Sequence, residues 1–349
     1  MRILFRAALA VVAGALPALG IASGASATPH PAAGFGHVTS SHAAPSSRGY
    51  RPELSVARIP FRASSVRPTA THNWFSPDFR SNAKKIYVSD AVNNVVDIFN
   101  VTGTLIGVLS GFSQPQGLAV DRQGNLYIAD TNNSQIAVYD SGGQKEAPLA
   151  DPGEYPVGVD VADNGTVGVT NICSVPSCGQ GNIVYYAKGA TQPTGTCDVA
   201  AYLVRVYFGG YDKEGNFFAD GINASGQTEV VECLKGSSTP ITTDVSGVQY
   251  PGGVMIHLVD GDLNVTDQNL QETDRFAVPG FSLVGQVKYN GVVDPVQPNP
   301  DKGNHFIWVP DAGTSNVYVY PYPTGGNPLL TIPIAGQPIG VAVFPRGDQ

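Results

Sequence analysis

The sequence predicts an all-β fold, a six-bladed β-propeller of four-stranded antiparallel blades, and two observations carry that expectation. The phrase Leu126-Tyr127-Ile128-Ala129-Asp130-Thr131-Asn132-Asn133 has a near copy at Ile86-Tyr87-Val88-Ser89-Asp90-Ala91-Val92-Asn93, and weaker copies end at Asp220, Asp267 and Asp311. With Asn171 in the same slot, the marks fall at 90, 130, 171, 220, 267 and 311, a period of 40 to 49 residues. Short strands repeating at such a period are the pattern of one blade per repeat. The second observation is the 41 glycines and 27 prolines, which interrupt any long helical pattern.

At the N-terminus, Arg2 and Arg6 precede an apolar stretch from Ala7 to Ile21, and Ala25-Ser26-Ala27 has the small-x-small form of a cleavage site. Residues 1–27 therefore read as a signal peptide, and the expected location is secreted or periplasmic. The apolar stretch is 15 residues, shorter than the roughly 20 that a bilayer requires, so no stable membrane insertion is expected. Residues 28–80 are rich in Ala, Ser, Pro and Arg and poor in aliphatic runs, the composition of a disordered spacer. That segment holds six arginines against Glu53 and Asp78, whereas residues 81–349 hold 12 basic and 26 acidic groups, a net of −14. So acidic a body repels phosphate and excludes nucleic acid as a partner.

The propeller is expected to occupy residues 81–349. Its second repeat parses as Gly117 to Asp121, Leu126 to Asp130, Gln135 to Tyr139 and Ala147 to Ala150, each run bounded by Gly, Asn or Asp. The first hairpin turn recurs as Gly124-Asn125, Asn164-Gly165, Gly215-Asn216 and Gly261-Asp262, where a positive φ is needed. The first repeat supplies only three strands, Lys85 to Asp90, Val95 to Phe99 and Leu105 to Leu109. At the other end, Gly340-Val341-Ala342-Val343-Phe344 is an innermost strand with no blade after it. Joining the two closes the ring and leaves no open sheet edge. The carboxylates ending the second strands are read as acceptors for the backbone of the following turn, a role that Asn171 also fills.

Cys173, Cys178, Cys197 and Cys233 are expected to form disulfides in an exported chain. The preferred pairing is Cys173 to Cys178 and Cys197 to Cys233, because Ser174-Val175-Pro176-Ser177 makes a compact loop between the first two. Spacings of Cys-x4-Cys followed by gaps of 18 and 35 residues do not fit a zinc ribbon.

From Pro115 to Asp140 the chain resembles the NHL repeat, through Pro-x-Gly-Leu-Ala-Val-Asp, then Gly-Asn-Leu-Tyr-Ile-Ala-Asp-x-x-Asn, then Ile-x-Val-Tyr-Asp. The first repeat shares the pattern, and elsewhere the likeness rests mainly on spacing. The resemblance implies a six-bladed propeller and leaves the chemistry open, since such rings host unrelated functions. Related scaffolds include gluconolactonase-like lactone hydrolases and virginiamycin B lyase-like enzymes, which hold a divalent cation near the channel. The hydrolase pattern puts an acidic residue before the Gly of an innermost strand. Here those positions are Gln116, Val157, Gly252 and Ile339, none of them a carboxylate.

The first functional expectation is therefore an exported binding or scaffold module for a protein or polysaccharide of the envelope or exterior, working as a monomer without a cofactor. The phrase before each innermost strand puts Gln114, Tyr155, Tyr250 and Gln337 on the loops at the channel mouth, either to meet a ligand or to pack on the following proline. The rival is a metal-assisted lyase or lactonase, with Gln116, Glu154 and His257 as its channel groups and calcium or another divalent cation as its metal. Three convergent N or O ligands in the channel would favour the enzyme, and a plug of Val, Ile and Leu the module.

Overall fold

The computed structural model describes residues 72–80, 83–257 and 260–346. The expected signal peptide and the expected disordered stretch up to residue 71 lie outside the described residues. The described chain is a six-bladed β-propeller with almost no helix. Among the described residues no helix is long and apolar enough to cross a membrane.

Blade 2 consists of Pro115–Val120, Leu126–Asp130, Gln135–Tyr139 and Leu149–Ala150, from the axis outwards. Blade 3 follows with Glu154–Val161, Val167–Ser174, Asn182–Tyr186 and Gly195–Cys197, and blade 4 with Arg205–Tyr211, Phe217–Ile222, Thr228–Cys233 and Ile241–Thr242. Blade 5 is Pro251–Ile256, Leu263–Asp267, Glu272–Phe276 and Leu283–Lys288, and blade 6 is Asn299–Pro300, Phe306–Asp311, Asn316–Pro321 and Leu330–Pro333. In blade 1 the C-terminal strand Pro338–Phe344 is innermost, followed by Lys85–Asp90, Val95–Phe99 and Leu105–Ser110. Antiparallel pairs Lys85 to Phe344 and Val88 to Val341 close the ring as the sequence predicts.

The Pro-x-Gly phrase has a structural reason. Each innermost strand bulges there, between Pro115 and Leu118 and between Pro251 and Val254, and the bulge presses bare backbone against the next blade. A Cβ on Gly117 would lie 2.5 Å from the Val157 carbonyl oxygen, and one on Gly340 would lie 2.6 Å from that of Gln116. Only glycine permits that approach. The first hairpin turns likewise need glycine, since Gly124 has φ +86° and Gly215 φ +90°. Asp121 locks its turn by accepting the N–H of Gln123 at 2.9 Å and of Asn125 at 2.8 Å.

Apolar cores lie between neighbouring blades. Ile98 and Ile106 of blade 1 meet Leu118 and Ile128 of blade 2 in one, while Val317 and Ile332 of blade 6 meet Ile86 and Val341 of blade 1 in another. Both disulfides join the expected partners, Cys173 to Cys178 and Cys197 to Cys233, a chemistry suited to an oxidising, extracytoplasmic environment.

Residues 72–80, which composition groups with the disordered segment, belong to the fold. Trp74–Phe75 forms a fifth strand on the outer edge of blade 1, Trp74 opposite Val108, and the short 3-10 turn Pro77–Phe79 buries Phe79. Three closely spaced aromatics supply apolar area that an average over the whole segment dilutes. The strand also covers an edge that would otherwise offer unpaired backbone groups.

Candidate functional site

The loops that lead into the innermost strands gather on one face of the ring, and carboxylates at the ends of the second strands set their positions. Asp130 accepts the N–H of Ser113 at 2.7 Å and the side-chain amides of Asn133 and Gln135 at 2.9 and 2.8 Å. Asp90 accepts the N–H groups of Asn93 and Gln337, Asp267 those of Gln249, Asn269 and Leu270, and Asp311 those of Val293, Asp294 and Gly313. These groups thus bind their own turn, as expected, and also clamp the lead-in loop. Burial raises the Asp267 and Asp311 carboxyls above the usual range against the pull of those N–H donors.

Blade 3 departs from this pattern. Its slot holds Asn171, whose amide N–H donates to Asn182 at 2.9 Å, and the carboxylate sits instead at Asp151 in the lead-in loop. Burial, with the nearby charge of Glu154, pushes Asp151 up to about 7, and hydrogen bonds with Asn171 and Tyr186 act in the opposite direction. Asp151 was not singled out from sequence, although the Asp-to-Asn exchange at 171 was the available signal.

Four of the expected residues keep contact with solvent or its edge. Tyr155, Glu154 and Gln337 are half-buried. Gln114 is buried to 8 % exposure, donates its N–H to Asn94 at 2.7 Å and leaves its side-chain oxygen without a partner. Burial raises the Glu154 carboxyl, opposed by a hydrogen bond from Asn182.

Two others are deep in the plug. Gln116 is 2 % exposed, and its carbonyl accepts the Ser89 hydroxyl at 2.6 Å. Tyr250 packs edge-on against Tyr207, ring centroids 5.8 Å apart, with the two hydroxyls 3.0 Å from each other. Tyr207, Tyr250, Val157, Val296 and Ile339 form one apolar cluster that closes this end of the axis, and Tyr155 packs against it.

His257 is on the other face, at the far end of Pro251–Ile256, roughly 20 Å along the strand at about 3.3 Å per residue. Its Nδ1 hydrogen-bonds the Asp260 carboxylate, which also pairs with Arg275 at 2.7 Å. Burial pushes the Asp260 carboxyl up, but the bonds from His257 and from the Asp262 N–H, together with the Arg275 charge, outweigh it and hold the group below its usual range. The structure therefore does not bring His257 together with Gln116 and Glu154.

The axis itself is filled. Gln297 bridges it by accepting the Leu118 N–H at 3.0 Å and donating to the Leu118 carbonyl at 3.2 Å, as an added strand would. Arg346 reaches from the last strand to the Val161 carbonyl at 2.7 Å and to Asp160 at 3.2 Å. Between these lies a cavity of about 30 Å³ whose lining mixes Val120, Val159, Val254 and Ile256 with Asp160, Tyr211, Asn299 and Arg346. That is room for about two water molecules, too little for a substrate. Among the described residues no group of three or more His, Cys, Asp or Glu is arranged to hold a metal ion. The residues at the axis do not fit the divalent cation of the enzymes on related scaffolds. The Gln297-Pro298 pair repeats the Gln-Pro phrase and was a legible signal for this bridge; Arg346 had none.

Residues 112–139 match the family model of the NHL repeat. No curated protein matches the chain. Among solved structures, a protein of unknown function from Bacteroides caccae is 14% identical with a TM-score of 0.58, covering 75% of this chain and 99% of its own. A chain of a Nidogen/Laminin complex is 12% identical with a TM-score of 0.61, covering 74% of this chain and 98% of its own. At these identities the likeness is one of fold.

Proposed function

We propose that this six-bladed propeller, with its NHL repeat, is an exported binding module that engages a protein or polysaccharide through the lead-in face. The observation that carries the reading is the filled axis: the Gln297 bridge, Arg346 bound to Val161 and Asp160, and the tyrosine cluster occupy the place where a catalytic ring would hold its substrate and metal. What remains on that face is a set of loops clamped by buried carboxylates, a rigid platform that presents Tyr155, Glu154, Gln337 and the edge of Gln114. Aromatic and amide groups on preorganised loops suit sugar or peptide contact, because little ordering is needed on binding. The two disulfides and the N-terminal signature support export. The net charge of −14 on residues 81–349 argues against a nucleic-acid partner. That one structure of this fold comes from a Nidogen/Laminin complex supports a role in assembly.

The test compares the natural chain with Tyr155→Ala/Gln337→Ala in two assays: pelleting with insoluble envelope polysaccharide, and retention of envelope proteins on the immobilised chain. Loss of a contact pair of this kind is expected to weaken retention about tenfold in one assay. Equal retention by both chains in both assays would overturn the lead-in face as the binding surface.

A further inference from the structure

We propose that the seam where the ring closes, between blades 6 and 1, is a binding site for a small apolar carboxylate. The seam opens on the face opposite the lead-in loops, into a cavity of about 400 Å³ whose walls are Ile86, Trp308, Val319, Leu330, Val343 and Phe344. That volume lies in the range of small-molecule sites, which join mostly apolar walls to a few placed polar groups. Its mouth carries Val101, Phe306 and Leu329, exposed to 46, 42 and 60 %.

The charged groups at the rim point to the occupant. Trp308 lines the cavity, is only 4 % exposed, and its indole N–H has no hydrogen-bond partner. That N–H is enclosed, with almost no accessible surface, so Trp308 serves the slot as an apolar ring. Lys84 and Lys302 stand at the rim, and neither forms an ion pair among the described residues. The acid beside them, Asp301, accepts the N–H groups of His305 and Phe306 on one oxygen at 2.9 and 3.0 Å and leaves the rim with a net charge of one positive unit. The lining is thus an apolar slot with two cations and one anion at its edge, a net positive rim complementary to an alkyl chain ending in a carboxylate.

The neighbouring seam shows what a filled one looks like. Between blades 1 and 2, Phe79 is buried and its ring lies 4.4 Å from that of Phe75, which in turn packs on Gly143. Lys85 lies over the Phe79 ring at 4.6 Å and donates to the Ser141 carbonyl at 3.2 Å. There the chain supplies both the apolar filling and the acceptor for the lysine. Between blades 6 and 1 a core around Val317, Ile332 and Val341 fills the interior, but the outer part of the seam stays open and no side chain or carbonyl among the described residues accepts from Lys84 or Lys302.

Decanoate is the probe, titrated calorimetrically into the full chain and followed by tryptophan emission. The chain has two tryptophans, Trp74 and Trp308, so Trp308→Phe identifies which one responds. Saturable binding is expected, with decan-1-ol at least tenfold weaker. Lys84→Glu/Lys302→Glu, at two exposed positions where folding is not at stake, should weaken decanoate at least tenfold, and Trp308→Phe should abolish the emission change. Absence of saturable binding, equal affinity for the alcohol, or unchanged affinity in the charge-reversed chain would overturn the proposal. Because this seam and the lead-in loops are on opposite faces, failure here leaves the binding-module reading as it stands.

Discussion

Val341→Asp is expected to lower the melting temperature by about 10 °C or abolish the cooperative transition. Val341 is fully buried, lies opposite Val88 in the closing pair, and donates its N–H to the Gln297 carbonyl at 3.2 Å. An aspartate there would bury a carboxylate among Ile86, Val88, Trp308 and Val317 with no cation in that cluster. Uncompensated burial of a charge costs about 3–5 kcal/mol, a large part of the roughly 5–15 kcal/mol that holds a domain folded. At about 2–4 °C per kcal/mol for a domain of this size, the shift follows. The same change at Val92, which is 63 % exposed, should move the transition by little. Thermal melts of the two variants separate closure from a general effect of added charge. Equal melts would mean that the C-terminal strand does not close the ring.

Removing the two disulfides should give unequal losses. Cys197–Cys233 spans 36 residues and fastens the outermost strand of blade 3 to the third strand of blade 4, whereas Cys173–Cys178 spans 5 within one loop. The entropy of closing those loops in the unfolded chain corresponds to about 4 kcal/mol for the long link and about 2 kcal/mol for the short one. Cys197→Ala/Cys233→Ala should therefore melt well below Cys173→Ala/Cys178→Ala. The reverse order would show that the short loop stabilises by fixing native packing around Tyr207 and Tyr155 rather than by restricting the unfolded chain.

Much of the ring is legible in the sequence because each blade repeats the same local problem. Strand, glycine turn, strand and terminal carboxylate recur, so Lys85–Asp90, Leu126–Asp130 and Gln135–Tyr139 can be read directly, and the unpartnered run at Gly340 to Phe344 points to its place in blade 1. Trp74–Phe75 is hidden because two residues on an outer edge have no period. The candidate site is legible in its loops and not in its depth. The Tyr-Pro phrase recurs at Tyr155 and Tyr250, yet one ring is half-buried and the other is held against Tyr207, a residue of a blade without the phrase. His257 lies just past the far end of blade 5's inner strand, and since a strand's ends are on opposite faces of the ring it is remote from the lead-in loops. The axis is closed by Gln297 against Leu118, 179 residues apart, and Arg346 against Asp160, 186 residues apart. The Gln-Pro phrase marks Gln297 but not its partner, and the Arg346 pairing leaves no local pattern.

The claim that the axis is structural and the lead-in face functional meets its most direct test in metal content. The protein, purified without chelator, would be analysed by elemental mass spectrometry beside Glu154→Gln and His257→Gln. The expected result is no zinc, calcium or magnesium held stoichiometrically through either residue; one ion per chain that is lost in either variant would contradict it and restore the metal-assisted lyase or lactonase.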